Sequence, residues 1–148
     1  MAVGAWTFYD RFKEFMADGS VDLDTTPFRI TLHTSASNAA TTSLSTYASL
    51  TSEVTEANGY SSSGKNLSSI TWTLASTATA RWDSADPFWS ASGGNIANIK
   101  FAVIWASGAT AGARKLVCRS TLSTAQFTLT SANRLTIQMA ADGIFELA

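Results

Sequence analysis

The chain is poor in the residues from which many active sites and metal sites are built. Cys118 is the only cysteine and His33 the only histidine among 148 residues. An internal disulfide is therefore impossible, and a cysteine-based metal cluster is excluded. A Ser–His–Asp triad would depend on His33 alone, and we predict that this residue faces solvent at the end of a strand.

Charge is also scarce. Charged residues make up 14% of the chain and the net charge is −1, whereas globular proteins average about 25% charged residues. Such a chain has no long-range field to attract phosphate backbones, so we expect no nucleic-acid partner. Polarity is carried instead by 40 serine and threonine residues.

Long apolar runs are missing as well. No stretch approaches the roughly 18 consecutive apolar residues of a membrane helix, and the first residues lack the basic and apolar regions of a secretory leader. We therefore expect no membrane partner. The chain is expected to stay in the cytoplasm of its producing cell until it assembles.

The sequence carries none of the motifs that mark serine-hydrolase, nucleotide-binding or zinc-protease sites. Asp18, Asp22 and Asp24 lie close together but lack the glycine and closing glutamate of a calcium loop. Asp83 and Asp86 bracket a turn, where acidic side chains commonly bind local backbone. We predict turn carboxylates, no cofactor and no enzymatic activity, with a calcium site or a two-carboxylate hydrolase as the alternatives.

Helical periodicity is confined to the N-terminal segment. Phe8, Phe12 and Phe15 recur at i, i+4 and i+7, which places the three rings on one face of a helix. We predict a helix of about three turns over residues 5–17, ended by Gly19.

Beyond Gly19 the apolar residues alternate with polar ones, as in half-buried strands. The apolar positions of four such segments are Phe28, Ile30 and Leu32; Ile70, Trp72 and Leu74; Phe127 and Leu129; and Leu135, Ile137 and Met139. Residues 100–105 are apolar on both sides, which is typical of a central strand. The pattern predicts a mainly β protein, with residues 1–148 forming one antiparallel β-sandwich or jelly-roll domain.

Residues 34–66 are irregular and rich in serine and threonine. A loop of this length in a compact domain is usually functional or disordered. We predict an arm or surface loop that becomes fixed against a partner. Tyr47, Leu50, Val54 and Tyr60 are expected to attach it at intervals, and Tyr47, Leu50 and Tyr60 are candidate interface residues.

Three aromatic residues gather around Pro87, namely Trp82, Phe88 and Trp89. Aromatic side chains in a turn-rich segment are typical of a protein interface or a sugar-binding platform. The alternative is that they cap the open end of the sandwich. We include all three among the candidate interface residues.

Taken in order along the chain, these segments resemble a group of small virion proteins of tailed bacteriophages. The matching segments are residues 9–17, 19–24, 27–35, 47–48, 53–54, 58–60, 64–67, 80–83, 102–105 and 141–145. The resemblance spans nearly the whole chain and implies a structural protein, in some members a capsid cement or decoration protein. It implies no catalytic residues.

The favoured prediction is a capsid cement protein on the virion surface, whose partners are the major capsid protein and copies of itself. The alternative is a tail-fibre, baseplate or receptor-binding component with Trp82, Phe88 and Trp89 as a carbohydrate or adaptor surface. A cell-wall hydrolase that uses a carboxylate pair is the third and least favoured interpretation.

Overall fold

A computed structural model describes residues 4–108 and 110–147. The helix α1 spans Phe12–Ala17. The strands are β1 (Thr7–Phe8), β2 (Phe28–His33), β3 (Lys65–Asn66), β4 (Thr71–Ser76), β5 (Thr79–Asp83), β6 (Phe88–Ser90), β7 (Ile96–Ile99), β8 (Phe101–Ala106), β9 (Leu116–Thr121), β10 (Phe127–Leu129), β11 (Arg134–Thr136) and β12 (Phe145–Leu147). Short 3-10 helices span Asn38–Ala40, Tyr47–Ser49 and Ala111–Ala113.

The strands form one larger sheet and three small ones, all antiparallel. The larger sheet has the order β1-β9-β8-β2-β3. The small sheets are β10-β7, β11-β6 and β12-β5-β4. The predicted mainly β, antiparallel fold with one short helix is confirmed.

Strand β8 is the centre of the larger sheet. All six of its residues are buried, and it pairs with β2 on one side and β9 on the other. The register with β9 shifts between Ile104 and Trp105, so that Val117 is an extra residue in β9. The apolar run at residues 100–105 thus marks a strand covered on both faces, as predicted.

One face of the larger sheet packs against the small sheets across the main core. Phe28 of β2 meets Trp82 of β5 edge to face, with ring centroids 4.8 Å apart. Trp89, Ile99 and Leu135 bring β6, β7 and β11 into the same buried cluster. This layering is compatible with a β-sandwich whose second layer is divided into three pieces, whereas a jelly-roll connectivity stays a prediction.

The predicted helix over residues 5–17 is wrong in its first half. Thr7 and Phe8 form β1 and pair with Arg119 and Cys118 of β9, so that only Phe12–Ala17 is helical. Edge pairing gives these residues backbone hydrogen bonds that a short helix would lack at its first turn. Phe8 still stacks on Phe12, at 5.3 Å between ring centroids.

Gly64 allows β3 to approach β2 closely. Its φ is +63°, and a Cβ at this position would lie 1.9 Å from the carbonyl oxygen of Ile30. The Gly64 carbonyl accepts a hydrogen bond from Arg29 at 3.0 Å. Any side chain at position 64 would therefore displace β3 from the edge of the sheet.

We expect Phe12→Ala to lower the free energy of unfolding by about 3–5 kcal/mol, the usual cost of removing a buried aromatic ring. Phe12 is 1% exposed and packs against Phe8 and Phe145. Chemical denaturation measures the loss, with Lys13→Ala on the exposed side of the same helix as the control. Equal stability of the two variants would contradict this packing.

Candidate assembly surface

The second face of the larger sheet is covered by the first part of residues 34–60, here called the covering segment. The last part, with Val54 and Tyr60, packs in the main core. Leu44, Tyr47 and Leu50 pack on a buried cluster that contains Val103 and Trp105 of β8. Backbone hydrogen bonds join the segment to the body, from Tyr47 N to Arg114 O and from Val54 N to Leu32 O, each at 2.9 Å. The covering segment is therefore a layer of the fold. The predicted attachment at Tyr47, Leu50, Val54 and Tyr60 is confirmed, since all four pack on the body. The predicted fixing of this stretch against a partner stays a prediction.

Glu53 holds two tyrosines of the covering segment. The hydroxyl groups of Tyr47 and Tyr60 both donate to its carboxylate, the Tyr60 bond measuring 2.7 Å. Tyr60 also accepts a hydrogen bond from Leu32 N at 3.0 Å. Burial is the main reason why the pKa of Tyr60 lies well above its usual value, with the negative charge of Glu53 as a further cause. Tyr60 therefore stays neutral, and its buried hydroxyl group links Glu53 to the backbone of β2.

The prediction that His33 faces solvent is wrong. The covering segment closes over it, leaving 1% of the residue exposed. Its Nδ1 lies 3.2 Å from the carbonyl oxygen of Thr51, which can only accept, so Nδ1 carries the proton. Nε2 lies 3.0 Å from the Thr31 hydroxyl and accepts from it. Both ring nitrogens are thus used within the protein.

Three of the six predicted interface residues cannot be reached by a partner. Tyr60, Trp82 and Trp89 are at most 2% exposed. The indole N–H of Trp82 donates to Leu23 O at 3.0 Å, and Trp89 packs in the main core. Large aromatic rings near a turn fill the core here, because the short strands β5 and β6 supply few other bulky residues.

The other three predicted residues are only partly accessible. Tyr47 stacks on Trp105 at 4.5 Å between ring centroids, and Leu50 is half-buried. Phe88 is 40% exposed. Arg134 and Lys65 flank its ring, with Cζ and Nζ at 3.6 Å and 4.8 Å from the centroid. Phe88 is therefore an isolated aromatic residue between two cations, and the three aromatics do not form one surface platform.

The most exposed large apolar side chain lies on the β4–β5 hairpin, at a position where the sequence pattern predicted a core residue. Leu74 was predicted to face the core, but it is 74% exposed. Its neighbours Thr73, Ala75 and Ser76 are exposed as well, while Trp72 is half-buried. Residues 67–80 contain no charged side chain. This uncharged stretch was the signal available in the sequence.

Four of the five aspartates considered as calcium ligands or catalytic groups accept backbone hydrogen bonds. Asp18 and Asp22 accept hydrogen bonds from the backbone N–H two residues later, at 2.8 Å and 2.9 Å. Asp83 accepts from Ser84 N and Asp86 from Met139 N, each at 2.8 Å. Within residues 4–108 and 110–147, no three histidine, cysteine or acidic side chains are grouped so as to hold a metal ion.

None of the protein families, curated proteins or solved structures compared with the chain matches it. In the described part of the chain, no helix is both long and apolar enough to cross a membrane. The functional conclusions therefore rest on the surface chemistry and on the resemblance described above.

We expect the purified protein to show no turnover on bacterial cell wall in a zymogram. Both nitrogens of His33 are bound inside the fold, and Asp18, Asp22, Asp83 and Asp86 accept backbone hydrogen bonds. Among these described residues, no positioned base faces an accessible nucleophile. Clearing that is lost in Asp83→Asn or Asp22→Asn would contradict this expectation.

We also expect the free energy of unfolding to fall as the pH is lowered from about 7.5 to 5. Burial lowers the pKa of His33 below its ordinary value of 6.5, although its bond to Thr51 and the charge of Glu53 act in the opposite direction. The unfolded chain therefore takes up this proton at higher pH than the folded chain, and stability is lost below about pH 6.5.

Chemical denaturation of the wild-type protein and of His33→Gln over this pH range tests whether His33 causes the loss of stability. The variant should have the smaller dependence on pH, whatever its stability at neutral pH. Identical slopes for the two proteins would show that His33 is not the titrating group.

Proposed function

We propose that the protein is a structural subunit of a tailed-bacteriophage particle, and that it acts as a cement protein on the outer surface of the capsid. Its partners are the major capsid protein and other copies of itself. It resides in the host cytoplasm before assembly and on the virion afterwards.

The observation that carries this proposal is the exposed, uncharged strand β4 of the β4–β5 hairpin. A strand at the edge of a sheet can pair with a strand of another chain through main-chain hydrogen bonds. Thr71, Thr73 and Leu74 of β4 are exposed. Hydroxyl and aliphatic groups lose less hydration energy than ions when they enter an interface, so such a surface favours contact with protein.

The resemblance to small phage virion proteins supports the same function. Three of its segments frame this region: residues 64–67 include β3, residues 80–83 fall in β5, and residues 141–145 lead into β12. A symmetric shell repeats each weak contact many times, so a small interface suffices to hold a multivalent coat.

The alternative of a receptor-binding tail component has less support. It depended on a platform formed by Trp82, Phe88 and Trp89, and only Phe88 reaches the surface. An isolated phenylalanine between two cations is a poor platform for a neutral sugar, which usually stacks on a broad aromatic face.

We expect purified particles to carry on the order of hundreds of copies of the protein, since a capsid lattice offers many equivalent sites. Quantitative gel densitometry against the major capsid protein measures the ratio. A ratio of a few to a few tens of copies per particle would instead place the protein in the tail.

We further expect particles stripped of the protein to lose heat resistance and to regain it when the protein is added back. A molecule that binds only the assembled lattice stabilises that lattice by mass action. DNA release on heating is the readout, and bovine serum albumin at the same concentration is the control. Binding to isolated tails but not to empty heads would contradict a role as cement.

A further inference from the structure

Strand β4 has an open edge. It lies at the end of the sheet β12-β5-β4, and within the described chain no backbone hydrogen bond from outside the hairpin reaches residues 71–76. The edge strands of β-sheets are usually protected from pairing with other chains by a lysine, a proline or a β-bulge. Here the register irregularity lies between Leu74 and Ser76, so Thr71–Leu74 is a regular, unprotected edge.

The direction of the backbone groups on this edge follows from β5. The carbonyl oxygen of Trp82 accepts a hydrogen bond from Ile144 N at 2.8 Å, so it points towards β12 and away from β4. In an antiparallel strand the N–H and C=O of one residue point to the same side, so Trp82 and its partner Trp72 are a non-hydrogen-bonded pair. The backbone N–H and C=O of Trp72 therefore face the open edge, as do those of Leu74 two residues later.

We infer that β4 pairs with β4 of a second copy of this chain, antiparallel and about a twofold axis at Thr73. This inference rests on the proposed function in that it takes the hairpin as the assembly surface. In this register Trp72 exchanges two backbone hydrogen bonds with Leu74 of the second copy, and Leu74 exchanges two with Trp72 of the second copy. The two sheets become one continuous sheet of six strands.

The side chains of β4 are complementary to themselves in this register. Trp72 and Leu74 lie on the same face of the strand, so each exposed leucine is covered by the tryptophan of the other copy, and an aromatic residue beside an aliphatic one is a favourable cross-strand pair. Thr73 lies opposite Thr73 of the second copy, where two hydroxyl groups can share a hydrogen bond.

Charge also favours a second copy over a charged partner strand. Residues 67–80 carry no charge, so two identical edges meet without the repulsion that a charged strand would have for itself. A strongly acidic or basic strand would find no opposite charge on β4. The contact is small, so we expect a weak dimer in solution that becomes stable where a lattice holds many copies together.

Cysteine crosslinking tests the register. In a non-hydrogen-bonded antiparallel pair the Cα atoms are about 4.5 Å apart, which lies within the range of a disulfide. We expect Thr73→Cys to form a disulfide-linked dimer under mild oxidation. The native Cys118 is fully buried and does not compete.

Thr71→Cys is the matched control, because both threonines are exposed and both belong to the same strand. In the proposed register the two copies of position 71 lie about 13 Å apart along the strands, too far for a disulfide. We expect at least a tenfold higher yield of dimer from Thr73→Cys. Adding Leu74→Lys to Thr73→Cys should reduce the yield severalfold, because it brings a cation into the apolar pair.

Circular dichroism establishes that each variant is folded. Equal yields from Thr71→Cys and Thr73→Cys, or no dimer from folded Thr73→Cys, would overturn the pairing of β4 with itself. The add-back assay on stripped capsids tests the proposed function separately from the dimer. If Thr73→Cys is folded and forms no dimer but still restores heat resistance, the protein acts as cement without pairing through β4.

Discussion

Burial of β8 on both faces is the constraint on which the rest of the structure depends. A strand with six buried residues needs a layer on each side. The small sheets supply one layer through Trp82 and Trp89. The covering segment supplies the other through Leu44, Tyr47 and Leu50. The serine- and threonine-rich stretch is therefore ordered by the apolar surface that it covers.

Several polar side chains beneath the covering segment bind one another or its backbone. Glu53 binds Tyr47 and Tyr60, and His33 binds Thr31 and Thr51. Buried polar groups without partners are costly, and a network with satisfied members fixes one arrangement of the layer. This network links the covering segment to β2, and it explains why the only histidine serves the fold.

Strand β4 differs from the body of the protein in how it is stabilised. Most aromatic side chains are used in the body, where they fill the space between sheets of only two or three strands. Strand β4 has little of this packing beyond Trp72, which contacts Phe145 at 5.9 Å between ring centroids. Because β4 is paired with β5 on one side only, contact with another chain would stabilise it.

The sequence by itself determined the class of fold and the central strand, because alternation and a two-sided apolar run are local consequences of strand geometry. It also determined that β4 is uncharged. Tertiary structure decided the rest. Residues 7 and 8 form a strand because β9 offers an edge, and His33 is buried because residues 34–60 fold over it. Leu74 is exposed because no part of the described chain covers that end of the hairpin. Each outcome depends on contacts with residues far away in the sequence, and a local sequence pattern does not predict such contacts.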